Sequence, residues 1–233
     1  MSEHEDRAPA PEPWSPEDEA RRPWSPEDEA EARLLIFNDD DPEAFERSGR
    51  ADAERLGRFF GPGDAVLDLG CGIGRVARYV APEARELWAV DVSPTMLDYI
   101  TRRLADRPNL RTVRCEGTRA PGVPDGAIDF AYSLLVLQHM PREDAFALLV
   151  DLRRMVRDGG RVFLTFPNLL SDEYLEGFLQ YVRAGEVANP VRARVYTPQE
   201  VERLLPAAGF EVEDLDPTVE IDVLARASGA PLL

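Results

Sequence analysis

The sequence predicts an α/β domain built on a doubly wound, mostly parallel sheet with helices on both faces. Two observations carry that expectation. From about residue 51, short apolar runs alternate with segments whose apolar residues recur at helical spacing, the pattern of strands joined by crossover helices. The first apolar run leads through a glycine-rich turn into a helical pattern, Val66-Leu67-Asp68-Leu69-Gly70-Cys71-Gly72-Ile73-Gly74-Arg75. A chain of 233 residues suits one such domain with appendages.

Residues 1–30 stand apart from the alternation. They hold ten acids against three arginines and contain Pro-Trp-Ser-Pro-Glu-Asp-Glu-Ala twice, at 13–20 and 23–30. Two copies are too few for a repeat fold. Each reads as a helix start, with Ser15 or Ser25 as N-cap, proline at N1 and Asp18 or Asp28 three residues after the cap. Pro23 stops the first copy, whereas the second can run on through Leu34, Leu35 and Phe37. Two readings stay open: a solvated acidic extension, disordered or with one short helix, or a lid whose apolar end at 34–37 lies over the functional site with Trp24 nearby.

Further along, a helix is expected over 51–60, broken by Gly61-Pro62-Gly63. Strands are expected at 65–69, 87–90, 110–115, 128–133 and 161–166. Helices are expected at 74–80, 93–105 and 141–156, the second opened by Ser93 as cap and Pro94 at N1. Thr197-Pro198-Gln199-Glu200 has the form of a capping box, and Gly209 ends that helix. Residues 210–215 and 221–227 then read as strands with no helix between them, hence an antiparallel hairpin on the sheet edge. Residues 168–195 interrupt the alternation with an amphipathic stretch, Tyr174, Leu175, Phe178, Leu179 and Val182, a natural place for a substrate-shaping insertion. The expected division is therefore an extension at 1–30 and a domain at 31–233 that carries the 168–195 insertion.

Composition excludes several function classes. With 44 acids, 27 bases and a net charge of −17, the chain has the wrong sign for phosphate neutralisation, so nucleic acid is not an expected partner. All 27 bases are arginine, which rules out mechanisms that need a lysine Schiff base or a lysine general base. Of the two histidines, His4 lies in the acidic terminus, which leaves His139 within the domain. Cys71 and Cys115 are far apart and form no metal-like cluster, as expected of a reducing compartment, and no metal is anticipated. A basic-then-apolar leader and a run of about 18 apolar residues are both missing, so the expectation is a soluble, cytoplasmic protein without a membrane partner. Nothing in the sequence sets the oligomeric state.

The chemistry concentrates at the glycine-rich turn. Glycines there let the turn tighten and let a ligand approach the backbone. A nicotinamide fingerprint needs its third glycine one residue later, where Arg75 stands. Asp68 before the turn is awkward beside a pyrophosphate and welcome beside a cation or an amino group. Asp91 closes the second strand, 21 residues after Gly70, placed as a ribose-hydroxyl acceptor. These residues, with Val90-Asp91-Val92-Ser93-Pro94-Thr95-Met96-Leu97, Ile128-Asp129-Phe130, Gln138-His139-Met140, Asp158-Gly159-Gly160 and Ala208-Gly209-Phe210, make residues 45–227 resemble the class I S-adenosylmethionine-dependent methyltransferases.

The resemblance implies a seven-stranded sheet in order 3-2-1-4-5-7-6 with strand seven antiparallel. It implies S-adenosyl-L-methionine as cofactor, S-adenosyl-L-homocysteine as product and a small-molecule acceptor methylated on oxygen or nitrogen. Carried over, Asp68 and the backbone of Gly70, Cys71, Gly72 and Gly74 would hold the methionine part, and Asp91 the ribose, with Val92 and Met96 beside the adenine. Glu116, Gly117 and Thr118 would face the adenine edge, Ser133 and Leu134 would bind the cofactor after the fourth strand, and Arg50 would either pair with the cofactor carboxylate or stand as a surface arginine at a helix start. His139 either serves as general base or orients the acceptor, or it caps or packs at the start of the next helix. Cys71 is expected to pack or to offer its backbone. Arg153, Arg154 and Arg157 are expected on a solvated face, Trp88 and Phe130 in the core. Arg192 and Arg194 either receive an anionic substrate or serve solubility. Two rivals remain: a cofactor-binding protein of the same fold without methyl transfer, and a nicotinamide oxidoreductase, which the glycine spacing and Asp68 disfavour.

Overall fold

A computed structural model of the chain describes residues 22–37, 41–186 and 192–232. The first copy of the N-terminal repeat lies outside these residues. A 3-10 turn at Arg22–Trp24 precedes α1 (Glu29–Phe37) and α2 (Pro42–Leu56); β1 (Ala65–Leu69), α3 (Ala77–Val80), β2 (Glu86–Asp91), α4 (Pro94–Arg103) and β3 (Leu110–Arg114) follow. The second half runs β4 (Ile128–Ser133), a 3-10 turn at Leu137–His139, α5 (Arg142–Met155), β5 (Val156–Pro167), α6 (Asp172–Ala184), α7 (Pro198–Ala207), β6 (Phe210–Pro217) and β7 (Glu220–Ala227).

One seven-stranded sheet joins them in the order β3-β2-β1-β4-β5-β7-β6. The first five strands pair in parallel, while β7 lies antiparallel to both β5 and β6. Both faces are covered, and side chains alternate between them along each strand. Leu67, Leu69, Ala131, Val162, Leu164 and Phe166 face the core under α5 and α7. Val66, Phe130, Tyr132 and Phe163 face the core under α2, α3 and α4. A smaller cluster of Ala32, Phe45, Ile73 and Met96 ties α1 and α2 to the glycine turn and to α4. Among the described residues, no helix is long and apolar enough to cross a membrane.

Local chemistry accounts for most element ends. The Ser93 hydroxyl accepts from the Met96 amide with Pro94 at N1, and Thr197 and Glu200 form both bonds of a capping box. Other boundaries differ from the sequence reading. α1 starts at Glu29 instead of following Ser25, because the Asp28 carboxylate accepts from the Glu31 amide at 2.9 Å and takes the capping position. α2 begins nine residues before the expected 51, capped by Asp41 with Pro42 at N1. β5 begins at Val156, where the β4–β5 register shifts beside Gly159 and Gly160. The arginines expected on a solvated face instead pin this junction: Arg154 binds Asp151, Asp125 and the carbonyls of Ala120 and Val123, Arg153 reaches the Val156 and Gly229 carbonyls, and Arg157 pairs with Asp129.

Candidate active site at the carboxyl ends of β1, β2 and β4

The sheet order reverses between β1 and β4, so the loops after β1, β2 and β4 converge at the crevice where such sheets bind ligands. The turn after β1 is held from below: Gly70 and Cys71 both donate to the Val90 carbonyl, at 2.7 and 3.0 Å. Gly70 has φ 80° and Gly72 φ 51°, conformations that cost a residue with a Cβ about 1–3 kcal/mol. The loop after β4 carries a second strained point, Leu135 at φ 57°, whose amide donates to Thr165 Oγ1 at 2.9 Å.

Two buried carboxylates flank the turn. Asp68 is 5% exposed and accepts from the Tyr132 hydroxyl at 2.8 Å. Burial raises its pKa to about 7, against the lowering effects of Tyr132 and the Arg75 charge. Asp91 is 8% exposed; its Oδ2 accepts from the Gly72 amide and its Oδ1 from the Ser93 amide, both at 2.9 Å. Burial raises this carboxyl as well, moderated by the amides of Ser93, Gly72 and Val92. Each oxygen of Asp91 keeps a further lone pair for a hydroxyl donor. Burial and the two neighbouring carboxylates push the Cys71 thiol well above its ordinary value, which argues against a nucleophile there.

The other expected residues fall around this pair. Gly74 closes the turn, its amide donating to the Cys71 carbonyl at 2.9 Å. Val92 is half-buried and Met96 fully buried at the start of α4. Ser133 donates to the Leu69 carbonyl at 2.9 Å, which ties β4 to β1, and Leu134 is half-buried. The Cys115 amide donates to the Asp91 carbonyl at 2.8 Å, so the turn of Glu116, Gly117 and Thr118 begins beside Asp91, with Glu116 exposed.

Arg50 is not brought to the turn. It is exposed and lies over the Tyr79 ring at 5.0 Å, because the 47–50 segment is interior to α2 and Arg50 falls on its outer face. The inward residues are Ser48 and Gly49: a Cβ on Gly49 would collide with the Arg75 carbonyl, and Arg75 donates to Ser48 Oγ at 3.1 Å and to Asp52 at 2.6 Å. Sequence reasoning missed Tyr132 and Arg75 as the groups that temper the buried Asp68 carboxyl. Arg75 stands immediately after the last loop glycine, and that adjacency was the available clue; Tyr132 reads as an ordinary core residue of its strand.

The N-terminal segment covers the site. A Cβ on Gly72 would lie 2.6 Å from Ile36 Cδ1, so α1 rests directly on the glycine turn. Trp24 meets His139 edge to face with ring centroids 4.8 Å apart. His139 closes the 3-10 turn after β4, with the Gln138 side-chain nitrogen 3.1 Å from its Nε2. Gln138 is 8% exposed, and its Oε1 is buried without a hydrogen-bond partner among the described residues. Two surface cavities, of about 260 Å³ around Asp64, Asp129 and Arg157 and about 670 Å³ around Trp88, Arg111 and Glu116, are lined by neither Asp68, Asp91 nor the glycine turn.

A family profile described as "Methyltransferase domain" matches residues 66–160. The chain is 34% identical over 104 residues to malonyl-[acyl-carrier protein] O-methyltransferase of Serratia marcescens, covering 45% of this chain and 38% of that protein. It is 32% identical over 126 residues to phosphoethanolamine N-methyltransferase 2 of Caenorhabditis elegans, covering 53% and 28%. The chain spans about half or less of the length of these curated relatives. Among solved structures, geranyl diphosphate C-methyltransferase from Streptomyces coelicolor A3(2), in complex with Mg2+, geranyl diphosphate and S-adenosyl-L-homocysteine, superposes with a TM-score of 0.64 at 16% identity, covering 93% of this chain and 100% of that one. Residues 66–160 thus match a methyltransferase domain, within a seven-stranded sheet whose order, with β7 antiparallel, is that of the class I methyltransferase fold.

Proposed function

We propose that the protein binds S-adenosyl-L-methionine and transfers its methyl group to an oxygen or nitrogen atom of a small-molecule acceptor. The observation that carries this reading is the placement of buried Asp68 and Asp91 on adjacent strand ends around the Gly70–Gly74 turn, with His139 on the loop of the next strand. The donor set fits the cofactor: a carboxyl that burial keeps near neutrality suits an ammonium group, and a carboxylate anchored by two amides suits a ribose diol. When bound, the cofactor supplies a methyl group on a sulfonium, open to in-line displacement by a nucleophile.

The chain's own residues then have three tasks. Asp68, Asp91 and the turn amides bind and orient. Ile36, Val136 and Met96 surround the turn with hydrocarbon and exclude water. Gln138 Oε1, buried and unsatisfied, orients the acceptor by accepting from its O–H or N–H; His139 Nε2, which accepts from the Gln138 amide nitrogen, exchanges that contact for the acceptor's proton as the new bond to the methyl carbon forms. We assign the shaping of the acceptor space to the 168–195 insertion, on the ground that its Arg194 amide donates to the carbonyl of Gln138, next to His139. The relatives named above act on oxygen, nitrogen and carbon, so the preference for oxygen or nitrogen rests on the proton acceptor at His139. The test is turnover, read as S-adenosylhomocysteine formed, for wild type and His139→Ala between pH 6 and 9. The expected loss is about 100-fold or more near neutrality; turnover within a few-fold of wild type across the range would remove His139 from proton transfer.

A further inference from the structure

The segment that follows residue 191 crosses the carboxyl ends of β4 and β5. The Arg194 amide donates to the Gln138 carbonyl at 2.8 Å, and Tyr196 pairs with the end of β5 through its amide to the Pro167 carbonyl and its carbonyl from the Leu169 amide, both at 2.8 Å. Arg194 is thereby seated beside the loop that bears His139, within electrostatic reach of Arg142 and Asp144 in the first turn of α5 and of Arg192. Tyr196 is 1% exposed, yet its hydroxyl has no hydrogen-bond partner; Arg192 Nε and Arg194 Nη1 are likewise buried and unpartnered. A buried donor left unpaired costs about 1–3 kcal/mol, and here three such donors belong to alternate residues, 192, 194 and 196, of one segment.

Other groups nearby do not satisfy them. Arg142 spends its charge on Glu200 and the Val195 carbonyl while its guanidinium stands 5.1 Å over the Tyr196 ring. Glu200 is held by Thr197 and Arg142. Glu143 and Asp144, the acids of the first turn of α5, are exposed and make no ion pair with either arginine. Residues 187–191 read Val-Ala-Asn-Pro-Val and bring no acid. Burial, with the like charges of Arg192 and Arg142, lowers the Arg194 pKa from its ordinary value, against the opposing effects of Tyr196 and Asp144. α5, whose Arg142 stands over the Tyr196 ring, also begins without a side-chain cap, with Pro141 at the N-cap position.

We infer that Arg192, Arg194 and the Tyr196 hydroxyl form an oxyanion subsite that holds a carboxylate or phosphate group carried by the methyl acceptor. The inference rests on the methyltransferase reading and narrows its substrate class to anionic small molecules. An acceptor anchored here extends toward the neighbouring Gln138 and His139, which fixes where its nucleophilic atom falls.

The test is calorimetric titration of the full chain at constant ionic strength, with inorganic phosphate, phenyl phosphate and benzoate as probes. S-adenosylhomocysteine is titrated in parallel. Phenyl phosphate is expected to bind at least several-fold more tightly than inorganic phosphate. An Arg192→Gln/Arg194→Gln variant is expected to lose at least tenfold in affinity for it, and Tyr196→Phe, which keeps the buried ring, to lose several-fold. Benzoate affinity relative to phenyl phosphate separates a carboxylate from a phosphate preference. Anion affinity unchanged in the double variant, or no anion binding by a wild-type chain that binds S-adenosylhomocysteine, would overturn the subsite. Equal affinity for phosphate and phenyl phosphate would assign the site to a free ion and overturn its link to the acceptor. Failure to bind S-adenosylhomocysteine alone would strike the methyltransferase reading instead.

Discussion

At the residue scale, Asp68 couples the site to pH. Its pKa of about 7 arises chiefly from burial, so below neutrality the carboxyl is protonated, and a ligand ammonium must displace that proton before it can pair. S-adenosylhomocysteine affinity is therefore expected to rise with pH, by up to about tenfold per unit below pH 7, and to level off above it. Asp68→Asn should bind more weakly and show no such slope; a wild-type affinity that is flat from pH 5.5 to 8 would remove Asp68 from cofactor binding. Gly72 makes a second prediction. Alanine there meets both the positive φ and the Ile36 methyl, at a combined cost of about 2–3 kcal/mol, or roughly 4–10 °C in Tm. Adding Ile36→Ala should recover the steric part and leave the conformational part, so the two substitutions should not be additive in thermal melts. Neither effect was legible in the sequence in full. The glycines and acids announce themselves by spacing, but the hydroxyl that donates to buried Asp68 comes from Tyr132, 64 residues away, and the Ile36 contact with Gly72 also joins positions far apart in the chain.

Elements were legible where their signals are local. The Ser93-Pro94 start, the Thr197–Glu200 box and the strand runs other than the start of β5 depend on residues a few positions apart, and the structure reproduces them. Where the outcome depends on competition or long-range pairing, the sequence misled. Ser25 and Asp28 both offer caps to α1, and Asp28 takes the position; of the two readings of Arg50, a partner of the cofactor carboxylate or a surface arginine at a helix start, the structure favours the second kind, because the 47–50 stretch is interior to α2 and turns Arg50 outward. The capping box should contribute about 1 kcal/mol, so Thr197→Ala should lower Tm by roughly 2–4 °C. α1 has a larger role, because it lies on Gly72 and packs with Ile73 and Met96. Removing residues 1–37 is expected to speed S-adenosylhomocysteine association by about tenfold or more in stopped-flow measurements, whereas removing residues 1–21 should leave it within twofold. Equal association rates for the two truncations would show that α1 does not gate the site.

At the scale of the whole molecule, the carboxylates divide into two groups with opposite pH signatures. Glu46, Glu86, Asp129, Asp151 and Glu200 are partly desolvated, but bonds to Arg103, Arg111, Arg157, Arg154 and Arg142, with other donors, outweigh burial and hold them below their ordinary values. Their contribution is present above the unfolded pKa near 4 and is lost as pH falls through the lower folded values. Asp68, Asp91, Glu220 and Asp222 are raised, in each case chiefly by burial. The folded state binds their protons more tightly than the unfolded chain does. Their contribution is therefore full below about pH 4 and declines as pH rises toward 7, where Asp68 titrates. The net charge of −17 adds self-repulsion that also grows with pH. The three effects place maximal stability on the acid side of neutrality, at about pH 5–6, with Tm falling by roughly 5 °C toward pH 8 and more steeply below about pH 4. Thermal melts in buffers of matched ionic strength check this directly. A Tm still rising between pH 6 and 8 would mean that the buried acids at the strand ends are ionised at little cost, and that Asp68 and Asp91 are better solvated than their positions under α1 and α4 imply.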